Sequence, residues 1–261
     1  MQYEHISVHP GPAAKVVLSR PDARNAMSDL TLRELTDAFQ ELAQDKSLRA
    51  VLVTGAGKDF CAGADIEWMR RGGKLPAEEG KKDAKLFAKM LTAVDECPVP
   101  VVVAAQGNVF GGGLGMLAAC DAAILSDDAK LCFSEVRLGI MPAVISNWVL
   151  PKIGIANARR YYLTGEVFGP VEAVHMGLAH ESVPADQLAA RADFVLKCIL
   201  KNAPQAVRTA KALIPQIAAA KPDERVDLTI ETLVKLRSSS EGQEGLSAFL
   251  EKRSPKWAPK P

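Results

Sequence analysis

The chain has 261 residues, of which 48% are hydrophobic and 24% are charged, proportions typical of a folded protein with one large core. Its formal net charge is +1, so the overall charge gives no electrostatic basis for binding nucleic acid or an anionic membrane surface. An anionic ligand would have to be bound by a local group of donors or cations.

The cysteines indicate reduced thiols rather than a disulfide framework or a zinc site. There are five, Cys61, Cys97, Cys120, Cys132 and Cys198. Their number is odd and no two form a C-x-x-C pair, so neither a disulfide framework nor a zinc site is supported. Buried reduced thiols are typical of cytosolic proteins. Met1–Glu4 begins no signal segment and no apolar run reaches membrane-spanning length. We therefore expect a cytoplasmic protein without a metal or a membrane partner.

The first hundred residues predict strands alternating with helices, because apolar residues recur at strand or helix spacing between turn residues. Strands are predicted at Tyr3–His9, Ala14–Ser19 and Arg49–Thr54, and helices at Leu30–Asp45 and Asp83–Asp95. Between them, Phe60–Met69 predicts a loop that enters a helix. The Gly-, Lys- and Glu-rich stretch Arg70–Gly80 predicts a mobile surface connection.

The second part of the chain predicts further strands followed by a helical tail. Strands are predicted at Pro98–Ala105, Asp121–Ser126, Lys130–Phe133 and Leu178–Val183, and tail helices at Asp186–Lys201, Pro204–Ala219, Asp223–Leu236 and Gln243–Lys252. Two or three rounds of strand, strand and helix thus precede the tail. The apolar faces of the tail exceed what one helix pair can bury, so we expect them to pack on the core or on a neighbouring subunit.

The glycine-rich stretch Gln106–Met116 lies between a predicted buried strand and a predicted helix. Glycines leave backbone N–H groups open to a ligand, and a helix N-terminus adds unpaired donors and a partial positive charge. This arrangement suits an anion or an oxygen that becomes anionic during a reaction. A tight, closely packed turn is the alternative interpretation of three glycines alone.

A second turn of the same kind surrounds Ala62–Ala64, and two converging N–H groups would form an oxyanion hole. A polarised thioester carbonyl acidifies its α-carbon, so one nearby carboxylate could move protons there. Glu135 is the candidate, because it follows the apolar Leu131–Phe133 and burial would raise its pKa. A surface or helix-capping carboxylate is the alternative interpretation of this glutamate.

Five segments together resemble the crotonase (enoyl-CoA hydratase/isomerase) family over nearly the whole chain. They are Leu18–Met27 (LSRPDARNAM), Phe60–Ile66 (FCAGADI), Gln106–Asp121 (QGNVFGGGLGMLAACD), Phe133–Pro142 (FSEVRLGIMP) and Ala248–Trp257 (AFLEKRSPKW). Each motif is weak alone, whereas their order and spacing as a set are highly specific.

The resemblance implies an α/β fold, a spiral of ββα units in residues 1–195, with a helical trimerisation region in 196–261. It implies a homotrimer or a dimer of trimers, and an acyl-CoA substrate with no separate cofactor.

Within the site, the resemblance implies that the Ala64 and Gly112 N–H groups hold the thioester oxygen and that Glu135 exchanges a proton with the α-carbon. It also implies that the substrate is bound by the loop that contains Ala62, Asp65 and Ile66 and by the turn at Gly111. Our candidates for binding the CoA phosphates are Arg24, and Lys252 or Lys256 from a neighbouring subunit. Solvated surface charge is the alternative interpretation of each of these cations.

The chain departs from the family at Gly115, where hydratases with two glutamates carry the second one. The stretch Ala143–Asn147 also replaces a small, glycine-rich continuation. The motif sequences resemble those of hydratases that act on a branched glutaconyl-CoA, such as 3-methylglutaconyl-CoA. In those hydratases a glycine also stands at this position. Arg137 is a candidate to meet the distal carboxylate of such a substrate, or to form a salt bridge elsewhere.

Three functions follow as hypotheses. The leading one is hydration of the 2,3-double bond of an enoyl-CoA thioester, with Glu135 as acid and base. The second is a Δ3,Δ2-enoyl-CoA isomerase, for which one glutamate suffices. The third is a CoA-binding protein without turnover.

Overall fold

A large and a narrow β-ladder organise the chain, which a computed structural model describes over residues 2–258. The strands are β1 (Ile6–His9), β2 (Ala13–Leu18), β3 (Ala50–Gly55), β4 (Val101–Ala105), β5 (Asn108–Phe110), β6 (Ala122–Ser126), β7 (Lys130–Cys132) and β8 (Glu181–Val183). Six of them form the large sheet in the order β1-β2-β3-β4-β6-β8. Only the β1–β2 pair is antiparallel. The central strand β4 is buried along its whole length, as expected of a parallel strand covered on both faces.

The narrow ladder runs beside the large sheet and is built from shorter pairings. Its longest part is the parallel β5–β7 pair. Single bridges join Met27 to Ala64, Cys61 to Val109, and Leu131 to Phe168. Successive turns of the chain therefore give one strand to the large sheet, one short segment to the narrow ladder, and then a helix. This is the predicted spiral of ββα units.

The helices cover the sheet and form the C-terminal layer. They are α1 (Asp29–Gln44), α2 (Ile66–Gly72), α3 (Ala77–Asp95), α4 (Gly112–Ala119), α5 (Ser146–Thr164), α6 (Pro170–His175), α7 (Leu188–Lys201), α8 (Pro204–Ala219), α9 (Pro222–Ser238) and α10 (Ser240–Leu250). Short 3-10 helices lie at Pro21–Ala23, Ser134–Leu138 and Ala185–Gln187.

Helix α1 illustrates how the sequence fixes an element. Its apolar residues Leu32, Leu35 and Phe39 recur at helical spacing and are fully buried. The Ser28 hydroxyl accepts a hydrogen bond from the Thr31 N–H at 3.2 Å and so caps the first turn.

The connection predicted at Arg70–Gly80 is shorter than expected, because α3 begins at Ala77 and α2 ends at Gly72. Glu78 and Glu79 in the first turn of α3 favour a helix start there. The prediction of a connection at these positions is therefore wrong for most of its length, and only residues 73–76 of it lie outside a helix.

The C-terminal layer is attached to the core mainly by polar contacts. Neither α8 nor α9 has a fully buried residue. From α8, the Arg208 guanidinium donates to the Leu48 carbonyl at 2.7 Å, and Lys211 lies 2.6 Å from an Asp121 oxygen. The predicted boundary between residues 195 and 196 falls within α7. The Leu188, Ala192 and Leu196 side chains of this helix are buried together with residues of strands β3, β4 and β6.

No helix within 2–258 has the length and apolar character to cross a membrane. The same residues contain no cluster of three or more His, Cys, Asp or Glu side chains that could hold a metal ion.

Candidate active site

A cavity of about 850 Å³ opens where the N-termini of α2 and α4 meet the 3-10 helix Ser134–Leu138. Its walls come from the segments 22–26, 62–73 and 134–145, from the turn at Gly111 and Gly112, and from one face of α3. The cavity therefore gathers five stretches from different parts of the sequence.

Two backbone donors at this cavity have no acceptor in the described part of the chain. Within residues 2–258, neither the Ala64 N–H nor the Gly112 N–H makes a hydrogen bond, and both residues line the cavity. Their neighbours are already paired: the Asp65 N–H donates to the Met27 carbonyl at 3.0 Å, and the Gly111 N–H to the Cys132 carbonyl at 3.1 Å. Two unpaired N–H groups beside one cavity are the arrangement of an oxyanion hole.

The turn that presents Gly112 requires glycine for two different reasons. Gly111 has φ 43° and ψ −105°, a positive-φ conformation that side chains with a Cβ disfavour. At Gly112, an added Cβ would lie only 2.5 Å from Cζ of Phe87. The ring of Phe87 thus packs directly against the helix N-terminus that carries the donor.

Glu135 places a carboxylate against the same turn. Its Oε1 lies 3.0 Å from the position that a Cβ on Gly111 would occupy. Its Oε2 is buried and has no hydrogen-bond partner among the described residues. Burial raises the pKa of Glu135 above the ordinary value of 4.5. A carboxyl group of this kind can take up and return a proton at a pH closer to neutrality.

The buried thiol of Cys61 connects the two donor turns. In the narrow ladder, the Cys61 N–H donates to the Asn108 carbonyl at 3.1 Å, and the Cys61 carbonyl accepts from the Phe110 N–H at 2.9 Å. Its Sγ lies 3.4 Å from the Gly63 nitrogen, and its Cβ lies 3.1 Å from the position that a Cβ on Gly113 would occupy. Burial raises the pKa of this thiol to about 12, so it is a neutral structural group rather than a nucleophile.

The position of Gly115 is occupied by apolar groups rather than by a second acid. A Cβ added there would lie 2.6 Å from Cγ2 of Ile145 and 3.3 Å from Cδ1 of Leu91. Both side chains are buried. Of the two carboxylates found in many hydratases of the resembled family, this cavity retains only the one at Glu135.

The model of the family described as enoyl-CoA hydratase/isomerase matches residues 11–260. The chain belongs to the enoyl-CoA hydratase/isomerase family. A putative enoyl-CoA hydratase of Thermus thermophilus is 31% identical over 252 residues, which cover 97% of this chain and all of that one. A crotonyl-CoA hydratase of Syntrophomonas wolfei is 30% identical over 256 residues, covering 97% of each chain. The solved structure of an enoyl-CoA hydratase from Shewanella pealeana is 36% identical, with a TM-score of 0.93, and covers 98% of this chain and 97% of that one.

In this member of the enoyl-CoA hydratase/isomerase family, most of the site residues predicted from sequence lie together. Eight of the ten line the cavity: Arg24, Ala62, Ala64, Asp65, Ile66, Gly111, Gly112 and Glu135. Lys252 and Lys256 do not line it, and Lys256 lies 3.8 Å from a Glu244 carboxylate oxygen in the C-terminal layer.

The side chain of Asp65 is engaged in the protein itself. One of its oxygens caps α2 by accepting from the Glu67 and Trp68 N–H groups, and the other lies 3.0 Å from an Arg20 nitrogen. Burial alone would raise the pKa of Asp65, but these hydrogen bonds and the Arg20 charge outweigh it and lower the pKa. Asp65 therefore shapes the loop that carries the Ala64 donor.

Arg137 has a structural partner instead of a place in the cavity. Its guanidinium donates to the Gly165 carbonyl at 2.6 Å, and it is absent from the cavity lining. Among the described lining residues Arg24 is the single cation.

Sequence patterns missed two features of the site. The sequence predicts Cys61 only as a reduced thiol, although its place within the FCAGADI motif is a usable signal. The packing of Ile145 on Gly115 was also missed. Two signals could have indicated it. One is a bulky residue in a stretch that has small residues in the resembled family, and the other is a glycine in an otherwise apolar helix.

Proposed function

We propose that this protein hydrates the 2,3-double bond of a 2-enoyl-CoA thioester. The observation that carries the proposal is the unpartnered Glu135 carboxylate beside two unpaired backbone donors, Ala64 and Gly112, in one cavity. The names of the T. thermophilus and S. wolfei relatives, both hydratases, support the same reaction.

In the proposed mechanism the thioester oxygen accepts hydrogen bonds from Ala64 and Gly112. The Glu135 carboxylate removes a proton from a water molecule while the oxygen of that water bonds to C3. The electrons of the double bond move to the thioester oxygen, which gives an enolate. The two N–H groups and the partial positive charge at the start of α4 stabilise that oxygen. Glu135 then returns the proton to C2, which restores the carbonyl and the carboxylate.

The lining of the cavity favours an uncharged acyl chain. Trp68, Phe87, Met141, Val144 and Ile145 provide apolar surface. A branched glutaconyl-CoA substrate would need a partner for its distal carboxylate. Among residues 2–258, Arg24 is the one cation that lines the cavity, so a cation from a neighbouring subunit would have to serve if Arg24 binds the CoA phosphates.

A Δ3,Δ2-enoyl-CoA isomerase is the second candidate, and the packing of Ile145 on Gly115 favours it. Moving a proton between C2 and C4 needs a single carboxylate and no activated water. A CoA-binding protein without turnover is the third hypothesis, which the raised pKa of Glu135 does not support.

One experiment separates these functions. The protein is incubated with crotonyl-CoA, 3-methylglutaconyl-CoA and a 3-enoyl-CoA while the absorbance of the conjugated enoyl thioester is followed. Loss of that absorbance with a 2-enoyl substrate supports hydration, and its appearance from the 3-enoyl substrate supports isomerisation. No change with any of them would refute both activities.

We also propose that the C-terminal residues 196–261 mediate a homotrimer or a dimer of trimers, and that Lys252 or Lys256 of one subunit reaches the CoA phosphates bound by another. Exposed Ile214, Ile230 and Leu233 on α8 and α9 support an oligomer, because apolar side chains on one layer favour burial against another chain. Light scattering of the purified protein tests the assembly, and the CoA affinity of the two lysine-to-alanine variants tests the second point.

A further inference from the structure

We propose that Ile145, packed against Gly115, limits the size of the substituents that the site accepts on C3 of the acyl group. This inference rests on the proposed function, because it takes the thioester oxygen to lie at the Ala64 and Gly112 N–H groups. It adds a residue that selects among substrates of that reaction.

Ile145 lies so close to residue 115 that a side chain on that residue would not fit at ordinary packing distances. A Cβ on Gly115 would lie 2.6 Å from Cγ2 and 3.1 Å from Cβ of Ile145. The methyl group of Ile145 therefore takes the space of the missing side chain. Ile145 is 5% exposed and also lines the cavity, so it closes the cavity at this point.

The placement along α4 identifies which part of the substrate meets Ile145. Gly112 and Gly115 are three residues apart, so they share one face of the helix about 5–6 Å from each other. If the thioester oxygen accepts from Gly112, C3 is two bonds beyond the carbonyl carbon. The substituents on C3 then lie beside Gly115 and Ile145.

The backbone at Ile145 is held in place on both sides. Its carbonyl accepts hydrogen bonds from the Trp148 and Val149 N–H groups, each at 3.0 Å, at the start of α5. The next residue, Ser146, donates to the Pro142 carbonyl and lies 3.1 Å from the Tyr162 hydroxyl. A β-branched side chain on such a backbone has few rotamers available, so this wall cannot easily yield to a larger substrate.

The test compares the wild type with Ile145→Val and Ile145→Ala, using Ile153→Ala as the matched control. Ile153 lies on α5 and is buried like Ile145, but it does not line the cavity. The quantity measured is kcat/KM for 3-methylcrotonyl-CoA divided by kcat/KM for crotonyl-CoA. We expect Ile145→Ala to raise this ratio by about 10-fold or more, Ile145→Val by less, and Ile153→Ala to leave it unchanged, because one methyl group is typically worth about 10–200-fold in discrimination.

A binding measurement makes the result independent of turnover. Dissociation constants of the two thioesters are compared in Glu135→Gln and in Glu135→Gln/Ile145→Ala, where the same change in ratio is expected. An unchanged ratio in active Ile145 variants, or an equal change in Ile153→Ala, overturns the inference. A wild type that hydrates neither thioester refutes the proposed function instead, and this inference with it.

A reciprocal variant tests the contact directly. Gly115→Ala should lower the melting temperature and kcat/KM for crotonyl-CoA, because its Cβ meets Ile145. Adding Ile145→Ala, which removes the Cγ2 atom nearest to that Cβ, should restore at least about 3-fold of the lost activity, since neighbouring substitutions that share a contact are not additive. Additive losses in the double variant would show that the two side chains do not compete for this space.

Discussion

The Oε1 atom of Glu135 lies 3.0 Å from the point where a side chain on Gly111 would begin. A residue of the glycine turn and a carboxylate 24 positions later in the chain are thus in direct contact. The missing Cβ at Gly111 leaves room for the carboxylate next to the donor of Gly112. The remaining Glu135 oxygen, without a partner in the described protein, is free to meet a ligand.

Replacing Glu135 by Gln should abolish turnover while CoA binding is retained. The amide keeps the shape of the side chain but cannot take a proton from water, and a general acid–base group typically contributes about 10²–10⁴-fold in rate. The measurement is kcat with crotonyl-CoA, together with CoA affinity by calorimetry. Glu231→Gln, on the exposed side of α9, is the matched control; near-normal activity of Glu135→Gln would contradict the mechanism.

The pH dependence of hydration should report the raised pKa of Glu135. The reaction starts from the carboxylate, so kcat/KM should fall as the pH drops through the pKa of this group. Because burial raises that pKa, the acidic limb should lie above 4.5, the ordinary value for a glutamate. A pH–rate profile that stays flat down to pH 4.5 would be inconsistent with a buried glutamate as the base.

The same shift predicts how Glu135 affects stability. A carboxyl whose pKa is raised by folding binds its proton more tightly in the folded state, so stability falls as the pH rises from the ordinary pKa through the raised one. Glu135→Gln removes this effect and should therefore raise the melting temperature near neutral pH. The difference from the wild type should shrink as the pH is lowered to about 4.5; calorimetry over this range checks the sign.

Gly112→Ala should damage both stability and catalysis. Its Cβ would lie 2.5 Å from Phe87 Cζ, and overpacking of a buried site typically costs about 1–3 kcal/mol of unfolding free energy. Displacing the donor should lower kcat by about 10²–10³-fold. Gly80→Ala provides the stability control, because no atom lies within 4 Å of its added Cβ, and it should stabilise helix α3 by about 0.5–1 kcal/mol.

Cys61→Ala should lower kcat more than it changes KM. The thiol accepts a hydrogen bond from the Gly63 N–H next to Ala64, and the Cys61 side chain packs against Gly113 next to Gly112, so its loss would let the two donors move apart. We expect a decrease on the order of 10-fold, a small part of the 10²–10³-fold cost of losing a donor entirely. Cys61→Ser supplies another acceptor and should restore part of the rate. Equal activity of both variants and the wild type would show that the thiol only fills space.

A charge placed on the exposed apolar face of α9 should break the proposed trimer. Leu233 is 61% exposed, and Leu233→Glu should reduce the mass measured by light scattering from that of three chains or more towards that of one. Lys46→Glu, in the exposed turn after α1, should leave the mass unchanged. A wild type that is already monomeric would contradict the proposed assembly.

The local elements were predictable because their signals are local. Apolar spacing placed α1 within one residue of its observed bounds, and Pro204 fixed the start of α8. The start of α3 was missed, since charged residues on an exposed helix resemble those of a loop when only composition is considered.

The sequence by itself determined the alternation of strands and helices, the motifs that resemble the family, and the residue types of the site, since glycines at turns and an acid after a buried strand act through backbone conformation and nearby burial. It could not determine which groups remain unpaired or which pack together. That Ala64 and Gly112 keep free donors, that Cys61 joins their turns, and that Ile145 fills the space above Gly115 depend on contacts between segments tens of residues apart. Only the tertiary structure decides them, because hydrogen bonding and close packing depend on distances in space rather than along the chain.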